Sequence, residues 1–343
     1  MYESIGIDLG SSRVVVSTAG VGIVSSIDPQ AVPRLPEGFL TENGERTDQN
    51  AAVRDAEVVR GRMFGESTIS PEKTRLVLKE AIERFGGGAC ERLLLSIPCS
   101  FSEVEEAALS EMAIEAGAAE VHLVYAPIAA LCGSELDLGA NAVLVDIGMT
   151  MTNVVAVCHG RIFYKKTYPV GGASFDGAIA RYLLKRHKVE VDLATAETVK
   201  LGVGTVWVSS EEKTIEVRGR DATNGDYCKI RVSSEEMFTA LEEPMAALIE
   251  GVCETITKIP ADCVHDVFDT GILLSGGGAL LQGIEKMIGG ITGVNTSHLV
   301  APRDAVATGL AHLLDEAKDQ KALGTRNISR YIMKKMVKAK GGA

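Results

Sequence analysis

The sequence predicts an α/β fold in which helices pack on mixed sheets, and three observations carry that expectation. Short apolar strands alternate with helical patterns along most of the chain. A length of 343 residues with 46% hydrophobic content is enough for two ordinary domains or one large two-lobed unit. A strand-turn-strand pattern also occurs twice, at 4–18 and at 141–158, and each copy opens on an apolar strand ending in Asp-x-Gly.

The elements follow in order. "SIGIDL" and "VVVST" read as the first strand pair, and residues 26–62, with Pro, charge and little periodicity, read as an insertion. A helix is expected from near Pro71 through Phe85, because proline suits a first turn and Leu76, Leu78, Ile82 and Phe85 supply an apolar stripe. "RLLLSI" is the next strand. The helix after it has a start signal, Ser102 with Glu105 three residues on, and a stop signal at Gly117. "AVLVD" and "VVAVC" form the second strand pair, and 205–233 read as polar strands around an Asn224-Gly225 turn, a second insertion. "GILLS" then runs through Gly276-Gly277-Gly278 into another helix.

Composition excludes several classes. No apolar run approaches the roughly 20 residues that span a bilayer, and the first strand begins too early for a signal peptide, so the cytoplasm is the expected compartment. Seven scattered cysteines, with no CxxC pair and no His cluster, read as reduced buried thiols, and no metal is assigned to them. A net charge of −11 argues against nucleic acid as a partner. The tail reverses this sign: residues 326–343 hold six positive side chains and no acidic one, leaving the preceding body near −17.

The chemistry resides in three glycine-bearing turns. Asp8-Leu9-Gly10 and Asp146-Ile147-Gly148 each offer a carboxylate for a Mg²⁺ shell and a tight turn whose N–H groups can face phosphate oxygens. An Asp that ends a strand is commonly only a turn residue, but two copies a domain apart could close on the same phosphates. The triple glycine allows a ligand to approach bare backbone, or it is simply a crowded strand-to-helix turn.

"GIDLGSSRVVV", "VDIGMTMTNVVAV" and "GILLSGGGALLQGIEKM" resemble the two phosphate motifs and the adenosine motif of the actin, sugar kinase and heat-shock chaperone superfamily. "AIEAGAAEVHLVYAPIAALCG", "VGGASFDGAIARYL", "TAETVK", "IEVRGRDATNG" and "PRDAVATGLAHLLD" narrow the resemblance to MreB-like bacterial actins, in unbroken order over about residues 4–316. The resemblance implies an actin-like ATPase fold of two lobes, each a mixed β-sheet flanked by helices, with a nucleotide cleft between them. The first lobe would span 1–138, with 26–62 as a small subdomain, completed by 305–322. The second would span 139–304, with 180–256 as its small subdomain, followed by a basic tail at 323–343. It implies ATP with Mg²⁺ as cofactor and Asp8 and Asp146 at the metal. Asp8, Gly10, Ser11 and Ser12 would cradle phosphates from one lobe, and Asp146, Gly148, Thr150 and Thr152 from the other. Glu197 and Lys200 would meet ribose or base, and Gly276, Gly277 and Gly278 the adenosine. On spacing alone, Glu197 and Lys200 equally fit a solvated ion pair on one helix face.

The chain departs from the family's usual Asp-Ile-Gly-Gly-Gly-Thr-Thr-Glu at the second hairpin. Met149 and Thr150 stand for two glycines, Met151 for a threonine and Asn153 for the glutamate, while Arg13 stands in the first hairpin where a small amide is usual. Ala126 replaces the glutamate that the family places before the proline of "YAP" to orient water, and no catalytic residue is assigned. The segment between Gly22 and Gly61 is shorter than its counterpart, and "FGGGACER" offers little for a membrane loop. The expected function is that of a filament-forming cytoskeletal protein with slow hydrolysis, serving cell shape or the positioning of a magnetosome or plasmid. The alternatives are a non-polymerising adaptor for a membrane or pilus complex and, behind it, a small-molecule kinase. In the tail, Ile328, Tyr331, Ile332 and Met336 would share one helical face flanked by Arg330, Lys334 and Lys338. That is the pattern of an anchor for an anionic membrane at the inner face of the cell or an internal membrane.

Overall fold

The computed structural model describes residues 2–27, 64–65, 68–69, 71–134, 141–208, 211–316, 326–329 and 332. Nearly all of the 26–62 insertion therefore lies outside the described residues, as do Tyr331 and Met336 of the tail.

The first lobe begins with an antiparallel meander of β1 (Ser4–Leu9), β2 (Val14–Thr18) and β3 (Gly22–Ile27). A minimal ladder of β4 (Phe64–Gly65) and β5 (Thr68–Ile69) precedes α1 (Pro71–Ala81), which runs on as a π-helical turn through Gly86. Of the expected apolar stripe, Leu78 and Ile82 are fully buried, joined by Thr74, Val77 and Ala81, while Leu76 and Phe85 are half-buried at its margin. β6 (Cys90–Ile97) lies parallel to β1, and α2 (Glu103–Glu115) leads to β7 (Ala118–Tyr125), parallel to β6. The capping box at α2 is present: the Ser102 hydroxyl accepts from the Glu105 N–H at 3.3 Å, and the Glu105 carboxylate accepts from the Ser102 N–H at 2.9 Å. Gly117 takes φ +115° after the helix, where a methyl group would press on the Gly88 carbonyl. The short helix α3 (Ala126–Cys132) follows β7 directly.

The second lobe repeats this plan. β8 (Ala142–Ile147), β9 (Thr152–Cys158) and β10 (Arg161–Tyr168) form its meander. A helical region follows: α4 (Gly172–His187), β11 (Val189–Glu190), α5 (Leu193–Val203), the polar hairpin β12 (Thr214–Asp221) and β13 (Tyr227–Ser233), α6 (Ser234–Ala240) and α7 (Glu242–Thr257). The chain then returns through α8 (Val264–Thr270) to β14 (Ile272–Ser275), a 3₁₀ turn at Gly277–Leu280, α9 (Ile284–Thr292) and β15 (Thr296–His298). The sheets read β7-β6-β1-β2-β3 and β15-β14-β8-β9-β10, the same order with the same parallel and antiparallel pairings. The repeated Asp-x-Gly pattern in the sequence thus marks the C-terminal end of the central strand in each copy of a duplicated five-strand unit.

One hydrophobic core fills the first lobe and extends onto one face of the second sheet through Leu144, Val155, Val157 and Leu273, and a second core packs on that sheet's other face. α10 (Ala305–Glu316) returns to the first sheet and crosses α3 so closely that a methyl group on Gly309 would overlap the Ala129 carbonyl. The chain then adds β16 (Arg326–Asn327) parallel to β7 as a sixth strand. The tail departs here from its expected role. Ile328 and Ile332 are buried in the first core, the Ser329 hydroxyl accepts from the Tyr125 N–H at 2.8 Å, and the Ile328 N–H reaches the Leu123 carbonyl. Two of the four apolar residues offered as a membrane-facing surface are core residues, because an aliphatic side chain gains more from a protein interior than from an interface it reaches only in part. Among the described residues no helix is long and apolar enough to cross a membrane.

Candidate functional site

A cleft of about 490 Å³ opens between the lobes, at the ends of β1 and β8 where the two Asp-x-Gly turns lie. Twelve of the thirteen candidate residues line it: Asp8, Gly10, Ser11, Ser12, Asp146, Gly148, Thr150, Glu197, Lys200, Gly276, Gly277 and Gly278. Thr152 does not. It belongs to β9, is buried, and donates its hydroxyl to the Val170 carbonyl at 2.7 Å, since strand alternation turns it away from the turn that Thr150 tips.

The two aspartates have matching surroundings. Asp8 accepts a hydrogen bond from the Ser96 hydroxyl at 2.6 Å, and Asp146 accepts one from the Ser275 hydroxyl at 2.9 Å. Ser96 is the penultimate residue of β6 and Ser275 ends β14, equivalent strands of the repeat, so each carboxylate is steadied from the neighbouring parallel strand. Burial pushes Asp8 up to about 6 despite the Ser96 bond, and the negative charge of Asp146 adds to the rise. Burial also raises Asp146, against hydrogen bonds from Ser275 and Asn153. Two desolvated carboxylates facing one cavity, each with a hydroxyl partner and, among the described residues, no cationic partner at hydrogen-bond distance, fit a hard divalent cation such as Mg²⁺.

The glycines divide by role. At Gly276 and Gly278 an added methyl would overlap the Ile147 carbonyl and side chain, so these two are imposed by packing of the turn on β8. Gly277 faces open space. The crowded turn and the bare approach surface are therefore neighbours in one motif. Gly148 spends its N–H on the Met151 carbonyl at 2.9 Å and shapes the second turn. The Gly148 and Met149 carbonyls accept from the Gly172 and Ala173 N–H groups at 3.0 and 2.7 Å, which locks the turn to the first residues of α4.

The lobes touch across the cleft. Ser11 and Thr150, one from each hairpin tip, share a hydrogen bond of 3.0 Å. Arg13 pairs with Asp304 just ahead of α10 and donates to the Arg303 carbonyl at 3.1 Å, so its charge is committed. Asn153 accepts from the Cys99 N–H at 3.0 Å and from the Thr167 hydroxyl at 2.7 Å, and Lys165 bonds the Cys99 carbonyl, stitching the loop after β6 to the second lobe. Lys200 forms its ion pair with buried Asp176 at 2.8 Å, on the adjoining helix α4, rather than with Glu197. Burial raises Asp176 and the Lys200 ammonium opposes the rise. Ala126 lines the cleft at the start of α3.

Sequence reasoning missed Ser96, Ser275 and Asp176. A signal for the serines existed: "LLLSIP" and "ILLSGG" each close a parallel strand with a hydroxyl. Asp176 carried no comparable mark.

The chain is 28% identical over 319 residues to the cell shape-determining protein Mbl of Bacillus subtilis, covering 91% of this chain and 96% of that one. Its fold is similar to the crystal structure of MreB5 of Spiroplasma citri bound to ADP, with a TM-score of 0.77 and 22% identity over 93% of this chain and 98% of that one. It is also similar to the MamK double helical filament, with a TM-score of 0.68 and 19% identity over 93% and 99% of the two chains. The family model described as MreB/Mbl protein matches residues 2–322, and with the duplicated sheets and the cleft between them, the chain belongs to the MreB/Mbl family.

Proposed function

We propose that this chain binds ATP with Mg²⁺ in the interlobe cleft, assembles head-to-tail into filaments, and hydrolyses the nucleotide slowly. The observation that carries this reading is the convergence of both repeat hairpins and the Gly276–Gly278 turn on one cavity, with two desolvated carboxylates at its centre. Asp8 and Asp146 would hold the cation, which neutralises phosphate charge when bound. Gly10, Ser11, Ser12, Gly148 and Thr150 would receive the phosphates, Glu197 and Lys200 the ribose side, and Gly277 the adenosine. The Mbl, MreB5 and MamK names support cell shape, nucleotide and filament in turn. The role is that of a cytoplasmic scaffold for cell shape or for an intracellular structure. Nucleotide bridging the lobes would favour the closed, assembly-competent state.

Slow hydrolysis rests on the lining of the cleft. Among its described residues the carboxylates are Asp8, Asp146 and Glu197, and no histidine is present. A methyl group at Ala126 neither accepts a proton nor orients water. The same residue favours a second reading, a nucleotide-binding adaptor that does not polymerise. High-speed pelleting with negative-stain imaging, in Mg²⁺ with ATP, ADP or no nucleotide, separates the two. Filaments in ATP with little phosphate release support the first; a monomer in every condition, still protected thermally by nucleotide, replaces it with the second.

A further inference from the structure

The cysteines, scattered in sequence, are not all scattered in space. Cys158 ends β9 and His159 opens the turn to β10; Asp262 and Cys263 sit side by side in the loop between α7 and α8. The fold brings these two chain-adjacent pairs together. One ring nitrogen of His159, a carboxylate oxygen of Asp262 and the Cys263 sulfur all lie within 4.8 Å of one another, and His159 Nε2 is 3.2 Å from Asp262 Oδ2. The Cys263 thiol is buried, while His159 and Asp262 are exposed, so the cluster has a closed sulfur floor and an open mouth.

We propose that His159, Asp262 and Cys263 form a three-donor binding site for a thiophilic divalent cation of the Zn²⁺ class, with a fourth position left to water at the open mouth. The donor set of a sulfur, an imidazole and a carboxylate is the kind that selects Zn²⁺ over Mg²⁺ or Ca²⁺. Bonds of about 2.0–2.3 Å in tetrahedral array place neighbouring donors roughly 3.3–3.8 Å apart, so the His159–Asp262 edge is already near that spacing. The longer edges to sulfur contract by rotation of the two exposed side chains, and binding releases the Cys263 thiol proton to solvent. An outer support is also in place. The Asn141 side chain accepts from the His159 N–H at 2.6 Å and donates to Asp266 of α8 at 2.6 Å, fixing the hairpin turn against the helix that follows Cys263. His159 has φ +48° and Gly160 φ +64°, as a two-residue hairpin turn requires. The site stands at the end of β9 away from the cleft, about 20 Å along a seven-residue strand. It is a staple of the second lobe, separate from the nucleotide cation.

The test uses the full chain purified without a histidine tag, exposed to zinc, dialysed, and analysed by elemental mass spectrometry. About one zinc per chain is expected. In competition with a chromophoric chelator, His159→Asn should bind zinc at least roughly 10-fold more weakly, and Asn at this position tolerates the left-handed backbone. Cobalt substitution should give a sulfur-to-cobalt charge-transfer band that Cys263→Ser removes. Should the buried Cys263→Ser fail to fold, the double variant of exposed residues, His159→Asn with Asp262→Asn, decides through its zinc affinity. Wild-type protein that retains no zinc, variants that bind it with unchanged affinity, or Cys263 held in a disulfide in the natively purified chain would each overturn the proposal.

Discussion

Asp8 shows what a binding residue costs a protein that has not yet met its ligand. Its folded-state carboxyl titrates at about 6, above the ordinary value of 3.8, so ionising it opposes folding. That cost is absent below the unfolded value and fully present once pH rises through about 6. Asp8→Asn should therefore raise stability without nucleotide at pH 7 by roughly 1–3 kcal/mol, read by urea unfolding, and the gain should vanish near pH 4. The same substitution should abolish thermal protection by Mg²⁺-ATP. Protection retained would remove Asp8 from the cation. Ala126→Glu is the converse experiment: a carboxylate restored at the head of α3 should raise phosphate release by about 10²–10⁴-fold if the missing base is what limits turnover. At this scale the legible residues were those in turns, where glycine and aspartate patterns state a backbone requirement. Thr152, Lys200 and the two serines depended on which way a strand or helix face turned, and that is set by partners far away in sequence.

Among the elements, the last is the least expected. Arg326–Asn327 and the turn after it look in sequence like the start of a basic tail, because charge dominates the composition, yet Ile328, Ser329 and Ile332 complete the first lobe. Ile328→Ala should destabilise the protein by about 2–4 kcal/mol, the range for an aliphatic side chain removed from a packed core, whereas a residue on a lipid-facing anchor would leave stability unchanged. Chemical denaturation distinguishes the two. The helix starting at Glu103 was legible to its cap because a capping box is a local interaction, written within four residues. The buried face of α1 was legible at Leu78 and Ile82, while the π turn from Ile82 to Gly86 was announced by no local pattern.

For the whole molecule, the governing fact is duplication. Two five-strand sheets of one order place two aspartates, two serines and two hairpins in symmetric opposition, and the cleft is the space between equivalent ends. The repeat was visible in the sequence as two Asp-x-Gly strands; the stitches between lobes were not. Asn153→Ala should cost about 1–3 kcal/mol in protein without nucleotide, since the buried Cys99 N–H and the Thr167 hydroxyl lose their acceptor. Saturating nucleotide should recover part of that loss, because a ligand held by both lobes stabilises their closed arrangement. An equal loss with and without nucleotide would show that the stitch and the ligand act on unrelated states.

The sixth strand also bears on how polymerisation is assayed. β16 covers part of the outer margin of β7, and a chain trimmed ahead of Arg326 would leave that margin with unpaired N–H and C=O groups. Such a fragment would pellet by sticking edge to edge, in any nucleotide or none. Sedimentation of a shortened chain would then count as assembly what is only clumping, and fluorescent labels belong after Ile332, not in place of it.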